Sequence, residues 1–471
     1  MPEPRGQAPG SGREWLAWAP AILVMLVVTA TVFGSGGFTD SSRFILVLIG
    51  AVGYLLSAIR SPERLAPVIS TVPVLGLLGL TLVGLFSLLW TDAATGTALL
   101  VALAPATYAG ITVFAACDSR LRERQNAIGN LVGLLAFVAA TTGLIGVMFE
   151  LDPWAFQLGG RLRPAGFIEY PPALAFLQLA AMPTLARLVG SSGRLNRHLA
   201  GMALITGAAV IFLAESRVVL LLAFFLLAAW AAWPDRLLGL SRRKALLPVS
   251  LWICGGFLVS VSTRLFDGWP ALILAVALVL SVPWCAEKLL SLFRGSSRRL
   301  SSNVARLFPG GAVLGALLVV FLVLPVLADP SSEGVQVDQG VDHGRIELWS
   351  DSARAIGEQP LLGHGQGSFL NATLEFQESP MRFAHSLVVE SAVELGLVGG
   401  LLSILVLLSP MGLCWKLRND TSAWVYIPAV VGFCALALVD WTWHLVGVGA
   451  VWALCLGMIL VRRDQNHSAN T

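Results

Sequence analysis

Apolar runs of about 16–25 residues recur along almost the whole chain, separated by short polar connections. A helix needs roughly 20 apolar residues to cross a bilayer. The short alternating segments of a membrane β-barrel are absent from the pattern. The periodicity therefore predicts an all-α, polytopic membrane protein with about 12–14 transmembrane helices. Fourteen candidate spans lie at 17–34, 44–59, 72–90, 94–116, 127–149, 170–189, 198–214, 217–233, 246–263, 269–291, 308–328, 387–412, 422–440 and 443–461. The shortest, 44–59 and 217–233, are the weakest, and the turn at Glu215-Ser-Arg217 leaves a re-entrant hairpin open.

One long break interrupts this pattern, and it divides the chain. Residues 1–16 form a polar tail and 17–328 carry the first eleven spans. Residues 329–386 form a large polar loop, 387–462 carry the last three spans, and 463–471 form a second tail. The tail and first anchor are expected to be retained, because the apolar segment is long and many spans follow it. Within the loop, Ile346, Trp349, Ala353 and Ile356 recur at helical spacing. This predicts an amphipathic helix over Arg345–Glu358 lying on the membrane surface. The glycines of Gly363-His-Gly-Gln-Gly367 predict a tight turn. They do not form a nucleotide-binding loop, since no Lys-Ser/Thr follows them.

Charge assigns an orientation. Only 13% of residues are charged and 56% are hydrophobic, against about 25% charged in soluble domains. With the N-terminus inside and the connections alternating, 23 of the 31 Lys and Arg residues fall on the inner side. That asymmetry supports cytoplasmic termini and an extracytoplasmic long loop. The eight basic residues left outside are Arg43, Arg161, Arg163, Arg217, Arg264, Arg345, Arg354 and Arg382. Arg43 and Arg264 sit in short connections and read as interfacial anchors. The six cysteines all lie in or beside apolar runs, so small buried hydrophobes are expected rather than a disulfide framework.

Arg161, Arg163, Arg217 and Arg345 fall at or near one membrane surface in this topology. A planar guanidinium donates two hydrogen bonds to two oxygens, which suits a pyrophosphate. Glu215 is a ready ion-pair partner for Arg217, so a structural pair is the alternative. The loop from Asp329 to Arg382 holds nine acidic and three basic residues, which works against an anion unless the arginines gather at one point. His385 stands where the loop meets a span, as a cap or as a general base. Glu390 and Glu394 follow one turn apart on one face, placed to orient or neutralise arginines. Glu390 is expected to point about 140° away from His385. Asp440 and His444 form a helix-terminal pair or line the same site. Asp338, Asp342 and His343 are a weak candidate metal set.

Three segments then occur in a particular order: Arg345-Ile-Glu-Leu-Trp349, Pro360-Leu-Leu-Gly-His-Gly-Gln-Gly-Ser-Phe369, and Ala384-His-Ser-Leu-Val-Val-Glu-Ser-Ala-Val-Glu-Leu-Gly-Leu-Val-Gly399. With Arg161-Leu-Arg-Pro-Ala-Gly-Phe167 and Glu215-Ser-Arg217 upstream, the order resembles the O-antigen ligase and O-antigen polymerase superfamily. The resemblance implies a metal-independent glycosyltransferase without cofactor. It would act on the outer face of the bacterial inner (cytoplasmic) membrane. Its partners would be a polyprenyl-diphosphate-linked oligosaccharide donor, an acceptor glycan, the lipid bilayer and a chain-length regulator, with no nucleic acid. By the same resemblance Arg161, Arg163, Arg217 and Arg345 hold the diphosphate and His385 activates or orients the acceptor hydroxyl. Glu215, Trp349, Glu390 and Glu394 support them. Ser386 stands where the family often has Asn. Polymerisation of surface-polysaccharide repeat units is the main reading, transfer of finished glycan to a lipid or protein the alternative. A lipid-linked oligosaccharide flippase fits less well, since it would place charges at mid-membrane.

Overall fold

A computed structural model describes residues 14–123, 126–158, 160–191, 193–232, 251–296, 344–378 and 380–470. In chain order its helices are α1 (Glu14–Phe33), α2 (Asp40–Arg60), α3 (Pro62–Ile69), α4 (Val72–Ser87), α5 (Thr95–Cys117), α6 (Ser119–Glu123) and α7 (Asn126–Phe149). A hairpin of β1 (Ala155–Leu158) and β2 (Arg161–Pro164) follows. Then come α8 (Pro171–Ser191), α9 (Arg194–Ala214), α10 (Arg217–Ala232), α11 (Gly256–Leu265) and α12 (Gly268–Ser296). The last are α13 (Arg345–Glu358), α14 (Phe369–Thr373), α15 (Leu387–Lys416), α16 (Ile427–Ala437) and α17 (Val446–Asn470).

The all-α polytopic expectation holds. Among the described residues every expected span coincides with helix; 308–328, residues 246–250 of another span, and Asp338, Asp342 and His343 lie outside the described residues. Among the described residues eight helices are long and apolar enough to cross a membrane, and α3 with α4, bent by 77°, make a ninth. Four shorter apolar helices accompany them. The expected span 422–440 is such a case: α16 has 11 residues, about 16 Å of helix, and 3₁₀ turns at Ala423–Val425 and Trp441–His444 complete the segment.

The centre of the bundle is α17 and α8, whose apolar windows are 89% and 83% buried. On the outside, α2 and α12 present Phe44, Leu48, Leu55, Ile273 and Leu280 outward, the apolar surface a lipid-facing helix shows. Small residues allow close helix approach where no water-driven force acts between helices. Gly110 on α5 lies against the backbone of Gly50 on α2, and Gly457 of α17 against Thr112 and Ala115 of α5.

Contacts between connections segregate to two faces. On one face Ser35 bonds Glu169 at 2.7 Å, Tyr170 bonds Asp440 at 2.6 Å, and Phe38 packs on Phe383. On the opposite face Ser61 bonds the Cys117 carbonyl at 3.2 Å and Arg187 bonds the Thr421 carbonyl. Residues paired on the first face all come from connections of the same parity, as an alternating chain requires.

The loop helices build a small core of their own. Leu348 and Ala355 of α13 pack with Phe369, Ala384 and Val393. This corrects the expected apolar face: Ile346 is 70% exposed and Ala353 is exposed, whereas Leu348, Asp351, Ser352 and Ala355 face inward.

Candidate active site

Two clusters of charged and polar side chains lie on the face that carries the 344–386 loop. The first gathers on Glu215, in the two-residue turn between α9 and α10. Its φ of 54° is left-handed, a conformation non-glycine residues rarely take. Arg163 Nη2 lies 2.9 Å from Oε2, Arg264 Nη2 2.6 Å from Oε1, and Arg161 Nη1 3.4 Å from Oε1. Burial alone would raise the Glu215 carboxyl, but the Arg264 hydrogen bond and the charges of Arg163, Arg264 and Arg161 outweigh it and hold the pKa below the ordinary value. Arg217 lies within electrostatic reach of Arg163. The hairpin supplies Arg161 and Arg163 from β2. Its Ala155–Pro164 register fixes the strand beside α7, α8 and α9.

Arg264 is therefore not the interfacial anchor expected of it. Arg43 is not one either: it is 4% exposed, bonds Asp40 at 3.4 Å and lies 5.1 Å from the Phe38 ring centroid. Both carry the same signal in the sequence, an arginine on the arginine-poor side, and the shortness of their connections hides it.

The second cluster surrounds His385. Its φ is 52°, again the sparsely populated left-handed region that collects at functional sites. The next residue, Ser386, caps α15 by accepting the Val389 N–H. Serine and asparagine are equally good caps, so the departure at Ser386 preserves the local structure. Two side chains clamp the residue before the histidine. Trp349 Nε1 donates to the Ala384 carbonyl at 2.8 Å, and the Ala384 N–H donates to Glu390 Oε2 at 3.2 Å. The other Glu390 oxygen lies 2.6 Å from His444 Nε2. The expected 140° divergence of Glu390 from His385 does not arise, because α15 starts only at Leu387 and His385 lies outside its wheel.

His385 is half-buried, and its Nδ1 makes no hydrogen bond among the described residues. Burial lowers its pKa below the usual 6.5, with Asp440 and Glu390 opposing the shift and Arg345 and His444 adding to it. The imidazole is thereby held neutral, the form a base requires. Arg345 reaches Tyr170 and His385 electrostatically, so it sits with the histidine. Tyr170 itself donates to Asp440 Oδ2. Burial first, then Asp440, raises its pKa well above the ordinary value, which keeps the donor protonated. Around these groups Phe383 stacks on Trp441 with ring centroids 5.4 Å apart, and the exposed Arg382 lies 5.4 Å from the Phe383 centroid.

Glu394 has a different task. It neutralises no arginine among the described contacts; it receives the Gln366 amide and the Phe369 N–H at 3.2 Å, both from the glycine-rich turn. That turn docks on a break in α15. Gly396 has φ 66° and ψ −164°, which frees backbone groups for the loop. His364 N–H donates to the Val393 carbonyl at 3.0 Å, Gly365 N–H to the Glu394 carbonyl at 2.7 Å, and Leu397 N–H to the Pro360 carbonyl at 2.8 Å. From α4, Ser87 accepts the Gln366 N–H at 3.0 Å, and beyond its end Trp90 and Thr91 donate to the Gly363 and Gln366 carbonyls. The expected glycine turn is confirmed, with φ of 66°, 96° and 79° at Gly363, Gly365 and Gly367.

The sequence-predicted residues thus divide. Arg161, Arg163 and Glu215 meet directly, with Arg217 near. His385, Arg345, Trp349 and Glu390 form the second cluster. Glu394 belongs to the loop anchor. Tyr170, seven residues after Arg163 in the same connection, ties the two clusters to one segment.

The model of the O-antigen ligase family matches residues 202–404. The matched stretch runs from α9 through α15 and includes Glu215, Arg217, Arg264, Arg345, Trp349, His385, Glu390 and Glu394. Over those residues the chain is similar to the O-antigen ligase family, in line with the resemblance seen in its motifs, and its long apolar helices are those of a multi-pass membrane protein. No curated protein matches the sequence.

Proposed function

We propose that this protein is a membrane glycosyltransferase that polymerises surface-polysaccharide repeat units carried on a polyprenyl diphosphate. The convergence of Arg161, Arg163 and Arg264 on Glu215, on the same face as His385, carries the reading. The donor is a glycan joined through its anomeric carbon to lipid diphosphate. His385, neutral because it is half-buried, takes the proton of an acceptor hydroxyl. The hydroxyl oxygen attacks the anomeric carbon, and the bond from that carbon to the diphosphate oxygen breaks. The electron pair stays on the leaving oxygen, so the diphosphate gains one negative charge. The guanidiniums of Arg161, Arg163 and Arg217 stabilise that charge as it develops. Arg345, beside His385, faces the same charge from the acceptor side. Trp349 and Glu390 act as positioning residues.

The orientation follows from the charge distribution: the loop face is extracytoplasmic and both termini are cytoplasmic. Among the described residues of the loop, Glu347, Glu358, Glu375 and Glu378 are exposed to solvent, which screens them, and Asp351 pairs with Arg354 at 3.5 Å.

Arg217→Ala, Arg345→Ala and His385→Ala are each expected to abolish polymer formation while the protein still inserts. Wild-type polymer from all three would overturn the reading. With purified protein and lipid-linked repeat units, a longer lipid-linked chain marks a polymerase, and glycan on a new acceptor marks a ligase. Turnover is expected to persist in EDTA, and its loss there would refute metal independence.

A further inference from the structure

The Glu215 cluster holds more positive charge than a structural ion pair requires. Three guanidiniums meet one carboxylate, which leaves a net charge of +2 from those four groups. Stabilising pairs in buried places are balanced, because each uncompensated charge costs desolvation energy. Here the side chains are only 16–31% exposed, so solvent does little of the balancing. Arg161 and Arg264 share one oxygen of Glu215 while Arg163 takes the other. Arg163 Nε is buried and donates to nothing among the described residues.

From this surplus we propose that Arg264 is a further ligand of the substrate diphosphate, with Glu215 the carboxylate that holds Arg161, Arg163 and Arg264 at one point. The inference rests on the diphosphate reading above and adds a residue that lies in none of the motif segments. Arg264 is suited to the role by position. It stands in the last turn of α11, a different element from those carrying Arg161, Arg163 and Arg217, so it closes the cluster from a separate side. Its contact with Glu215 is the shortest of the three.

The charges match the reaction. A donor diphosphate esterified at both ends carries two negative charges. Cleavage at the anomeric carbon leaves a third on the departing lipid diphosphate. Arg161, Arg163 and Arg264 set against Glu215 sum to +2, and the attraction of that charge for the diphosphate grows as the diphosphate goes from two negative charges to three. The cluster thus attracts the leaving group more strongly than the intact donor, and only such differential binding lowers the barrier. Without Arg264 the sum falls to +1, and the extra attraction gained as the third charge develops is about halved.

Binding of farnesyl diphosphate and farnesyl monophosphate to the full-length protein in nanodiscs tests this without requiring turnover. The wild type is expected to prefer the diphosphate. Arg264→Gln is expected to lose about tenfold in diphosphate affinity and to bind the monophosphate nearly as before. Arg264→Lys keeps the charge and its pairing with Glu215 but lacks the fork, so it should recover only part of the preference. A wild type that does not discriminate refutes the diphosphate reading itself. A discriminating wild type with unchanged preference in Arg264→Gln overturns the role of Arg264 and leaves it a structural partner of Glu215. Should Arg264→Gln fail to fold, Arg264→Lys decides: a reduced preference supports the inference and a wild-type preference overturns it.

Discussion

At the scale of single residues, both clusters are built around a left-handed backbone position. His385 and Glu215 have φ of 52° and 54°, and such conformations persist only where neighbours over-determine them. For His385 the neighbours are Trp349 and Glu390, bonded to the two sides of Ala384. Trp349→Phe keeps the ring and deletes one bond. It is expected to lower kcat about tenfold, or ~1.4 kcal/mol of barrier, with donor affinity unchanged; an equal loss in both would make Trp349 a structural residue. The acidity of His385 gives a second test. Its pKa is already below 6.5 through burial, Asp440 raises it, and Arg345 lowers it. The proposed general base is the neutral ring, so the acid limb of the pH–rate profile should lie below 6.5. Asp440→Asn removes a raising charge while retaining a side chain that can cap the 3₁₀ turn, so the acid limb should move to lower pH. Movement to higher pH would separate the limb from His385.

At the scale of elements, the decisive feature is the break in α15. A helix interior leaves no backbone group free, yet the Val393 and Glu394 carbonyls and the Leu397 N–H all bond the 360–365 segment. Gly396 makes this possible, since its φ of 66° and ψ of −164° belong to a region that is essentially glycine-only. A Cβ there would also meet the Leu361 carbonyl. Gly396→Ala should therefore destabilise the loop anchor by roughly 3 kcal/mol. Limited proteolysis should show faster cleavage in the 344–386 loop while the bundle stays intact. Wild-type protection would mean that the loop holds without the break. The break also explains why the second acidic residue of α15 serves a purpose unlike the first. Glu390, one turn from the cap, clamps the histidine, whereas Glu394, at the break, fastens the glycine turn.

At the scale of the whole molecule, the helices were legible in the hydrophobic runs because length and apolarity suffice to specify a span. The Arg345, glycine-turn and His385 segments were legible because their chemistry is local. Long-range pairing was not. Nothing in the neighbourhood of Arg264 indicates that it meets Glu215 forty-nine residues earlier, and the helical spacing places Ile346 and Ala353 on the wrong face because the partner of α13 is the loop's own core, against which Trp349 and Ile356 do pack. Alternation of the connections, by contrast, was predicted and now has a geometric counterpart in the two segregated sets of contacts. Which set faces outward rests on the arginine count alone, and this can be measured. Four of the six cysteines are buried, at positions 117, 414, 434 and 455, while Cys254 and Cys285 are exposed. A Cys254→Ala, Cys285→Ala background therefore leaves little reactive thiol. In that background single cysteines at Thr39, Gln157 and Glu358 should react in intact cells with a membrane-impermeant maleimide. Cysteines at Glu63, Arg120 and Asp420 should react only after the membrane is opened. The opposite pattern would invert the molecule and place His385 and the arginines in the cytoplasm, which would end the proposal of extracytoplasmic polymerisation even with the active-site geometry intact.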